Sequence, residues 1–286
     1  MEVLNEITPH RIQRRDLTFP REIGTGEIPW ERIFQATYCG GTNVLVKQIH
    51  LRNRVTEVRL NQLRNLVNQM PHPNIIQILG ICEEPNEGSF VTVCPEEGTL
   101  KDYISRVNLT LTEKLTILTK VALGINHLHR QNPRIAHCNI KASSIWITRD
   151  KEPKISDFEF SRRFQSNFNS IGCSPSWAAP ECLQALSTCT EKVDVYSFAI
   201  LIVEMMDPRP RLYERLTKEL CSRITRGEVR PEISNRDEWP IELLSLVQAC
   251  WANDPNDRPS VEEIITRLNE IQSNIQPVQQ NTPQEQ

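Results

Sequence analysis

The sequence predicts an α+β fold in two lobes, and a change in apolar spacing along the chain supports this prediction. Between Leu17 and Cys94, short apolar and β-branched runs such as residues 44–46 predict strands. Leucines at helical spacing near residues 60–67 predict one helix among these strands. From Gly98 onward the helical spacing dominates. We therefore expect a small antiparallel β-sheet lobe with one helix, followed by a larger helical lobe.

The individual elements follow from the same spacing. Two further strands are predicted in the small lobe, at residues 74–82 and 90–94. In the large lobe the apolar residues recur at the helical period in four long segments. These predicted helices are 111–130, 193–206, 241–251 and 261–271. The last begins after Ser260, which forms a capping box with Glu263.

The domain boundaries are predicted from these elements and from composition. A leader, residues 1–16, precedes a single domain over residues 17–272. Within that domain, residues 17–94 form the small lobe, 92–98 the hinge and 98–272 the large lobe. The tail, 273–286, is rich in Gln, Asn and Pro and has few apolar residues, so we expect it to be disordered.

Composition excludes several classes of protein. The 286 residues carry a net charge of −3 with both signs interspersed, so no basic surface for nucleic acid is expected. The apolar run 198–206 is too short to cross a bilayer. The N-terminus lacks the pattern of a secretory signal, which predicts a cytoplasmic protein. The nine cysteines include no CxxC pair, so we expect reduced thiols and no bound metal.

Five segments follow one another in the order of the protein-kinase signature set. They are a Gly-rich strand, a lysine strand, a catalytic loop, a metal loop and an Ala-Pro-Glu segment. In this chain they read Gly24-Thr25-Gly26, Val44-Leu45-Val46-Lys47, His137-Cys138-Asn139-Ile140-Lys141, Asp157-Phe158-Glu159 and Ala179-Pro180-Glu181. Taken together, they resemble the protein-kinase family over most of the chain. The resemblance implies a bilobal protein-kinase fold.

The resemblance implies that the residues which hold this fold together are retained. Glu181 would pair with Arg258 inside the large lobe. The family's regulatory spine, a stacked column anchored on Asp194, corresponds to Leu66, Ile78, His137 and Phe158. We expect all of these residues to have structural roles.

The same resemblance places substitutions at the positions that carry the chemistry. The aspartate that accepts the proton of the substrate hydroxyl corresponds to Asn139, and a neutral amide cannot act as this base. The second metal ligand corresponds to Ser144, a poorer donor for a hard cation. The helix glutamate that pairs with Lys47 corresponds to Gln62, and the metal-loop glycine to Glu159. We therefore predict no catalytic residues, no metal site and loss of the active-state ion pair.

Two positions that contact the nucleotide keep the family's residues. Lys47 corresponds to the phosphate-binding lysine and Asp157 to the main magnesium ligand. We predict that both are vestigial and that no cofactor is bound, with weak ATP binding as the alternative.

The purine slot between the lobes is predicted to be filled. Leu45 replaces the alanine that packs on the purine, and Trp146 lies where the floor of the slot is expected. Thr92 corresponds to the gatekeeper residue at the back of the slot. Pro95 corresponds to a hinge residue whose backbone N–H bonds the purine, and proline has no such donor.

The segment 172–181 is similar to that of the tyrosine-kinase-like group. The metal loop ending Phe158-Glu159-Phe160 further resembles the mixed lineage kinase domain-like pseudokinases. The helical bundle that precedes the kinase-like domain in that family is not present in this sequence. The resemblance implies a protein partner, such as a receptor-interacting protein kinase in necroptosis-type signalling, bound by a scaffold, adaptor or decoy.

The activation segment, residues 157–181, offers three serines as regulatory candidates, namely Ser166, Ser170 and Ser174. Phosphorylation would add charge that could order the segment against Arg162 or Arg163. The alternative is a solvated linker without a regulatory role.

These substitutions together predict a pseudokinase, that is, a protein that binds partners and is not an enzyme. Two alternatives remain open. One is a switch that binds nucleotide through Lys47 and Asp157 without turnover. The other is a weak, unconventional serine/threonine kinase in which Asp157 and Lys141 substitute for the lost groups.

Overall fold

The structure is a computed structural model that describes residues 10–25, 31–50, 71–85, 87–163, 174–184, 189–207 and 217–275. The small lobe is a six-stranded sheet. Its strands are β1 (His10–Arg11), β2 (Leu17–Thr25), β3 (Glu31–Tyr38), β4 (Thr42–His50), β5 (Ile78–Glu84) and β6 (Glu87–Val93). The strand order is β1-β5-β6-β4-β3-β2, and every pairing except β1 with β5 is antiparallel.

The central strand β4 shows why the chain forms a sheet here. Successive side chains of a strand point to opposite faces, so β4 buries two different sets of residues. Val44 and Val46 pack in a small cluster within the lobe, together with Val91 of β6. Leu45 and Ile49 point the other way and join the main core. Lys47 lies on this second face, which is the face toward the large lobe.

Strand β1 is a finding that the sequence analysis did not anticipate. His10 and Arg11 pair in parallel with Gly80 and Ile81 of β5. The next residue, Ile12, is buried, and its N–H donates to the Ile81 carbonyl at 2.9 Å. A two-residue strand carries no alternation that a sequence pattern could reveal.

The large lobe is helical, as predicted. Its helices are α1 (Leu100–Arg106), α2 (Leu111–His129), α3 (Lys192–Met206), α4 (Lys218–Thr225), α5 (Ile241–Cys250) and α6 (Val261–Ile275). Helix α2 begins with a complete capping box formed by Thr110 and Glu113. The side chains of α3 are almost all buried, which makes it the central helix of the lobe. The predicted α+β fold with two lobes is confirmed.

Short elements on the inner side of the large lobe carry the loops of the site. Strands β7 (Ile135–Ala136) and β10 (Arg162–Arg163) pair with each other, as do β8 (Ile145–Ile147) and β9 (Pro153–Ile155). The 3₁₀ turn Phe158–Phe160 follows β9 directly. The catalytic loop therefore lies between β7 and β8, and the metal loop between β9 and β10.

Two predicted features fall outside the described residues. They are the helix near residues 60–67 of the small lobe and residues 276–286 of the predicted tail 273–286, whose first three residues instead belong to the last helix of the large lobe. None of the described helices combines the length and the apolar character that are needed to cross a membrane.

Candidate functional site

A cavity lies between the sheet of the small lobe and the loops of the large lobe. The residues that line it come from β3 to β6, from the segment just before β5, from β8 and from the metal loop. They are Ile33, Leu45, Lys47, Ile76, Ile78, Phe90, Thr92, Trp146, Ser156, Asp157, Phe158 and Glu159. Most of them are apolar, and the charged groups are collected at one end.

The charged end of the cavity is built around the ammonium group of Lys47. Its Nζ atom lies 2.5 Å from Oδ1 of Asp157 and 3.0 Å from Oε1 of Glu159. Asp157 adopts a left-handed backbone conformation with φ of 66°, and this turn directs the metal loop toward β4. Burial acts to raise the pKa of Asp157, but the charge and hydrogen bond of Lys47 outweigh it and hold that pKa below its ordinary value.

The contact between Lys47 and Glu159 differs from what the sequence analysis expected. The sequence predicted loss of the active-state ion pair, because Gln62 stands at the position of the helix glutamate. The structure supplies a carboxylate from the metal loop instead. Gln62 lies outside the described residues.

The second oxygen of Glu159, Oε2, is buried and has no hydrogen-bond partner among the described residues. Buried carboxylate oxygens normally have such partners, so this atom can still accept a hydrogen bond or a cation.

The apolar end of the cavity contains the residues predicted to fill the purine slot. Leu45 from β4 and Trp146 from β8 both line the cavity, and 3% and 8% of their surfaces are exposed. Thr92 lies beside them on β6. Pro95 is buried in the hinge and provides no backbone N–H. These residues narrow the cavity without closing it.

The catalytic loop forms a short hydrogen-bonded chain below the cavity. Lys141 donates from Nζ to Oγ of Ser174 at 2.6 Å, and Ser174 donates to Oδ1 of Asn139 at 2.8 Å. All three residues are buried. The amide nitrogen Nδ2 of Asn139 has no partner among the described residues. This amide can orient a hydroxyl group, but it cannot take its proton at neutral pH.

The oxygen atoms of the catalytic loop and the metal loop suit one divalent cation better than two. Oγ of Ser144 is fully buried, lies 2.7 Å from the Asn139 carbonyl oxygen and accepts the N–H of Lys141 at 3.2 Å. Its hydrogen-bonding capacity is therefore used by the backbone. Asp157 and the unpartnered Oε2 of Glu159 remain as oxygen donors for a hard cation. Within the described part of the chain, no group of three or more metal-ligating side chains occurs.

The structural residues lie beside this site and support its loops. The rings of His137 and Phe158 are in edge contact, with centroids 4.9 Å apart. Ile78 lines the same cavity, and Leu66 lies outside the described residues. Asp194 of α3 accepts the backbone N–H groups of His137 and Cys138, each at 2.8 Å. The start of the catalytic loop is thereby tied to the most buried helix.

A second anchor of the large lobe joins Glu181 and Arg258. The guanidinium donates to both carboxylate oxygens of Glu181, at 2.7 and 2.8 Å. Arg258 is fully enclosed and also donates to the Ala252 and Lys192 carbonyls. This bidentate pair fixes the end of the activation segment against the loop before α6.

Of the three candidate regulatory serines, the structure describes one. Ser166 and Ser170 lie outside the described residues. Ser174 is buried within the chain of hydrogen bonds to the catalytic loop.

Sequence reasoning missed two features of the site. One is the contact of Glu159 with Lys47, and the other is the link from Lys141 through Ser174 to Asn139. In each case the partners lie far apart in the chain, so no spacing pattern indicates the contact.

Comparison with known proteins places this site in a family. Residues 17–268 match the family model described as protein tyrosine and serine/threonine kinase. A probable serine/threonine-protein kinase of Dictyostelium discoideum is 34% identical over 254 residues, which cover 84% of this chain and 27% of the relative. The dual specificity protein kinase shkC of the same organism is 28% identical over 273 residues, which cover 92% and 53% of the two chains. The chain thus spans only about a quarter to about half the length of these relatives.

These matches correct one prediction. The relatives are named as serine/threonine and dual specificity protein kinases, which are enzymes. The prediction that the chain is not an enzyme is therefore wrong. The matched family model covers most of the sequence and includes every described residue of the site, so this chain belongs to the protein kinase family.

Proposed function

We propose that this chain transfers the γ-phosphoryl group of ATP to serine or threonine hydroxyls of a protein, at a rate lowered by Asn139. The observation that carries this proposal is the contact of Lys47 with Asp157 at the charged end of the cavity. Both side chains are largely buried and face the space between the lobes. This is where a nucleotide would present its phosphates.

Phosphoryl transfer demands little covalent chemistry from the protein. Its transition state is loose in most analyses, so catalysis consists mainly of positioning and electrostatic stabilisation. In the reaction, a bond forms between the substrate oxygen and the γ-phosphorus, and the bond to the bridging β-γ oxygen breaks. ADP leaves, and the hydroxyl proton passes to a phosphate oxygen or to solvent.

The described residues can supply much of this positioning. Lys47 offers a fixed positive charge to the nucleotide phosphates, and Asp157 offers an oxygen ligand to the magnesium that accompanies ATP. Magnesium, when bound, neutralises charge on the phosphates. The ammonium of Lys141 lies one hydroxyl group away from Asn139, near the point where a substrate hydroxyl would be held.

Asn139 limits the rate that we expect. The amide can hold the substrate hydroxyl by a hydrogen bond, but it does not accept the proton. General-base assistance is typically worth about 10²–10⁴-fold in rate. A kinase without it remains an enzyme, with slow turnover.

The test is transfer of radiolabelled phosphate from ATP to a mixture of serine and threonine peptides, with Mg²⁺ or Mn²⁺ present. We expect slow transfer that is lost in Lys47→Met and in Asp157→Asn. Glu152→Gln is the control, because Glu152 pairs with Lys120 on the surface away from the cavity. Transfer by Lys47→Met at the rate of the unaltered chain would contradict the proposal.

The proposal also includes a protein partner, which the sequence resemblance supports. We propose that the chain also binds another protein kinase, with a receptor-interacting protein kinase as the first candidate. Its scaffold or adaptor role would then accompany slow phosphotransfer. Co-precipitation with each such kinase tests this, and the absence of any association would contradict it.

Regulation through the activation segment stays a prediction for Ser166 and Ser170. Because Ser174 is buried, an upstream kinase would reach it only after the segment had moved away from Lys141. Mass spectrometry of protein from stimulated cells tests all three positions.

A further inference from the structure

We propose that Glu159 is the positioning residue for Lys47 in this chain and takes over the role that the family gives to a glutamate of the small-lobe helix. The inference rests on the proposed function, since it concerns how the nucleotide phosphates are held. It assigns a role to a residue whose position is occupied by glycine in the family's metal loop.

The first support is geometric. Oε1 of Glu159 lies 3.0 Å from Nζ of Lys47, and Glu159 is only 4% exposed. Asp157 approaches the same nitrogen from its neighbouring position in the chain. The 3₁₀ turn Phe158–Phe160 brings both carboxylates to one ammonium. The end of the Lys47 side chain is therefore held between two groups of the metal loop.

The second support is a count of charges. The family's site contains one lysine and two carboxylates, from the helix and from the metal loop. In this chain the helix position is Gln62, which removes one negative charge, and Glu159 adds one. Among the described residues, the site therefore again holds two carboxylates and one ammonium. The electrostatic conditions that a magnesium nucleotide meets in the family are thereby kept.

The third support is the incomplete hydrogen bonding of Glu159. A carboxylate that served only stability would be expected to use both of its oxygens, because a buried oxygen without a partner is costly. Oε2 of Glu159 is buried without a partner among the described residues, and Glu159 lines the cavity together with Asp157 and Lys47. This arrangement is that of a binding site rather than of a structural ion pair.

The alternative is that Glu159 competes with phosphate for Lys47. The two roles predict opposite effects of Glu159→Gln. If Glu159 positions Lys47, the substitution weakens binding of magnesium ATP. If Glu159 competes, removal of its charge strengthens that binding.

The experiment measures binding of magnesium ATP and of adenosine by calorimetry to the unaltered chain, Glu159→Gln and Glu159→Asp. We expect Glu159→Gln to bind magnesium ATP about tenfold more weakly, as loss of a charge-assisted contact implies. Adenosine lacks phosphates and should bind all three proteins alike. Glu159→Asp keeps the charge and should recover part of the affinity. An unchanged or higher affinity of Glu159→Gln for magnesium ATP would overturn the inference.

A second measurement does not depend on nucleotide. Lys47 is labelled with an amine-reactive ester, and the extent of labelling is read by mass spectrometry. We expect labelling to rise several-fold in Glu159→Gln, because a carboxylate that holds the ammonium is gone. Glu152→Gln should leave it unchanged. Equal labelling of Lys47 in all variants would overturn the inference, whereas failure of phosphate transfer alone would overturn only the proposed function.

Discussion

Two buried ion clusters among the described residues differ in how completely their charges are matched. In the large lobe, Arg258 donates to both oxygens of Glu181, and one positive charge faces one negative charge. In the cavity, Lys47 faces two carboxylates, and Oε2 of Glu159 has no partner among the described residues. The first cluster is complete and needs no ligand. Within the described residues, the second leaves one carboxylate oxygen that can still accept a cation or a hydrogen-bond donor.

This difference separates a structural role from a functional one. The resemblance gives Glu181, Arg258, Lys47 and Asp157 as residues that the family retains. Glu159 stands where the family has a glycine. Only the geometry shows that one cluster is closed by hydrogen bonds and that the other is open toward a cavity. The predictions below test that distinction.

The largest effect on stability is expected at the closed cluster, which is the pair of Glu181 and Arg258. Arg258→Met would leave the Glu181 carboxylate buried without its cation, and breaking a buried pair in this way costs about 3–5 kcal/mol. The free energy of unfolding from chemical denaturation measures the loss. The control is Glu262→Gln, which removes an exposed partner of Arg130 and should cost about 1 kcal/mol or less.

The open cluster consists of Lys47, Asp157 and Glu159, and its stability should respond differently to the removal of one charge. Glu159→Gln removes the excess negative charge, so the free energy of unfolding should change by only about 1 kcal/mol or less. If Glu159→Gln destabilises the protein as much as Arg258→Met, the distinction between the clusters fails.

The next effect is expected on the rate of phosphate transfer. Asn139→Asp places a carboxylate where the amide now receives a hydrogen bond from Ser174, with the Lys141 ammonium nearby. The new group can take the substrate proton, so phosphate transfer should rise by about 10²–10⁴-fold. Labelled-phosphate transfer to serine and threonine peptides measures this.

The double variant Asn139→Asp with Lys47→Met is the control for that experiment. It should lose the gain, because the phosphates are no longer held. A rate that stays unchanged in Asn139→Asp would mean that proton acceptance does not limit this enzyme.

A smaller effect is expected at the purine end of the cavity. Leu45→Ala removes bulk from the slot, so affinity for magnesium ATP should rise by about tenfold. The same change leaves a cavity in the core and should cost about 2–5 kcal/mol of stability. Calorimetry and denaturation measure the two quantities on one sample.

Ile49→Ala is the matched control for Leu45→Ala. Ile49 is buried on the same strand and belongs to the same core cluster, but it does not line the cavity. It should destabilise the protein without raising affinity. Equal affinities for the two variants would show that Leu45 does not obstruct the purine.

The fold could be predicted from the sequence because its evidence is local. The apolar period of α2, α3, α5 and α6 and the β-branched runs of β4 and β6 each lie within one short segment. The two short helices α1 and α4 and the strand β1 were missed. They are seven, eight and two residues long, which is too short for a repeated apolar pattern to identify them.

The site was predicted only in part for a different physical reason. The positions of Lys47, Asp157 and Asn139 followed from short motifs. The partner of Lys47 did not, because Glu159 is 112 residues away in the chain and reaches Lys47 only through the turn after Asp157. The loss of a carboxylate at Gln62 was visible in the sequence, whereas its replacement in space was not. The prediction that the chain is not an enzyme rested on that loss together with the substitutions at Asn139, Ser144 and Pro95.

The smallest effect is expected at an exposed ion pair. This pair extends the comparison to charges that are in contact with solvent. Glu113 of α2 accepts a hydrogen bond from Lys151 and further ones from Thr110, and these lower its pKa from 4.5 to about 2. The folded-state pKa lies below the ordinary value, so the stabilisation is present above pH 4.5 and is lost as the pH falls toward 2. Stability measured across this range should decline less steeply in Glu113→Gln than in the unaltered chain.

Lys151→Met distinguishes the two causes of the lowered pKa. It removes the hydrogen bond from the lysine and leaves the capping bonds of Thr110, so its stability profile should lie between those of Glu113→Gln and the unaltered chain. High salt should reduce the contribution of Lys151, because that pair is exposed. Identical profiles for all three proteins would show that Glu113 does not contribute to acid stability. The stability differences between the closed, open and exposed clusters would then need an explanation other than the matching of charges.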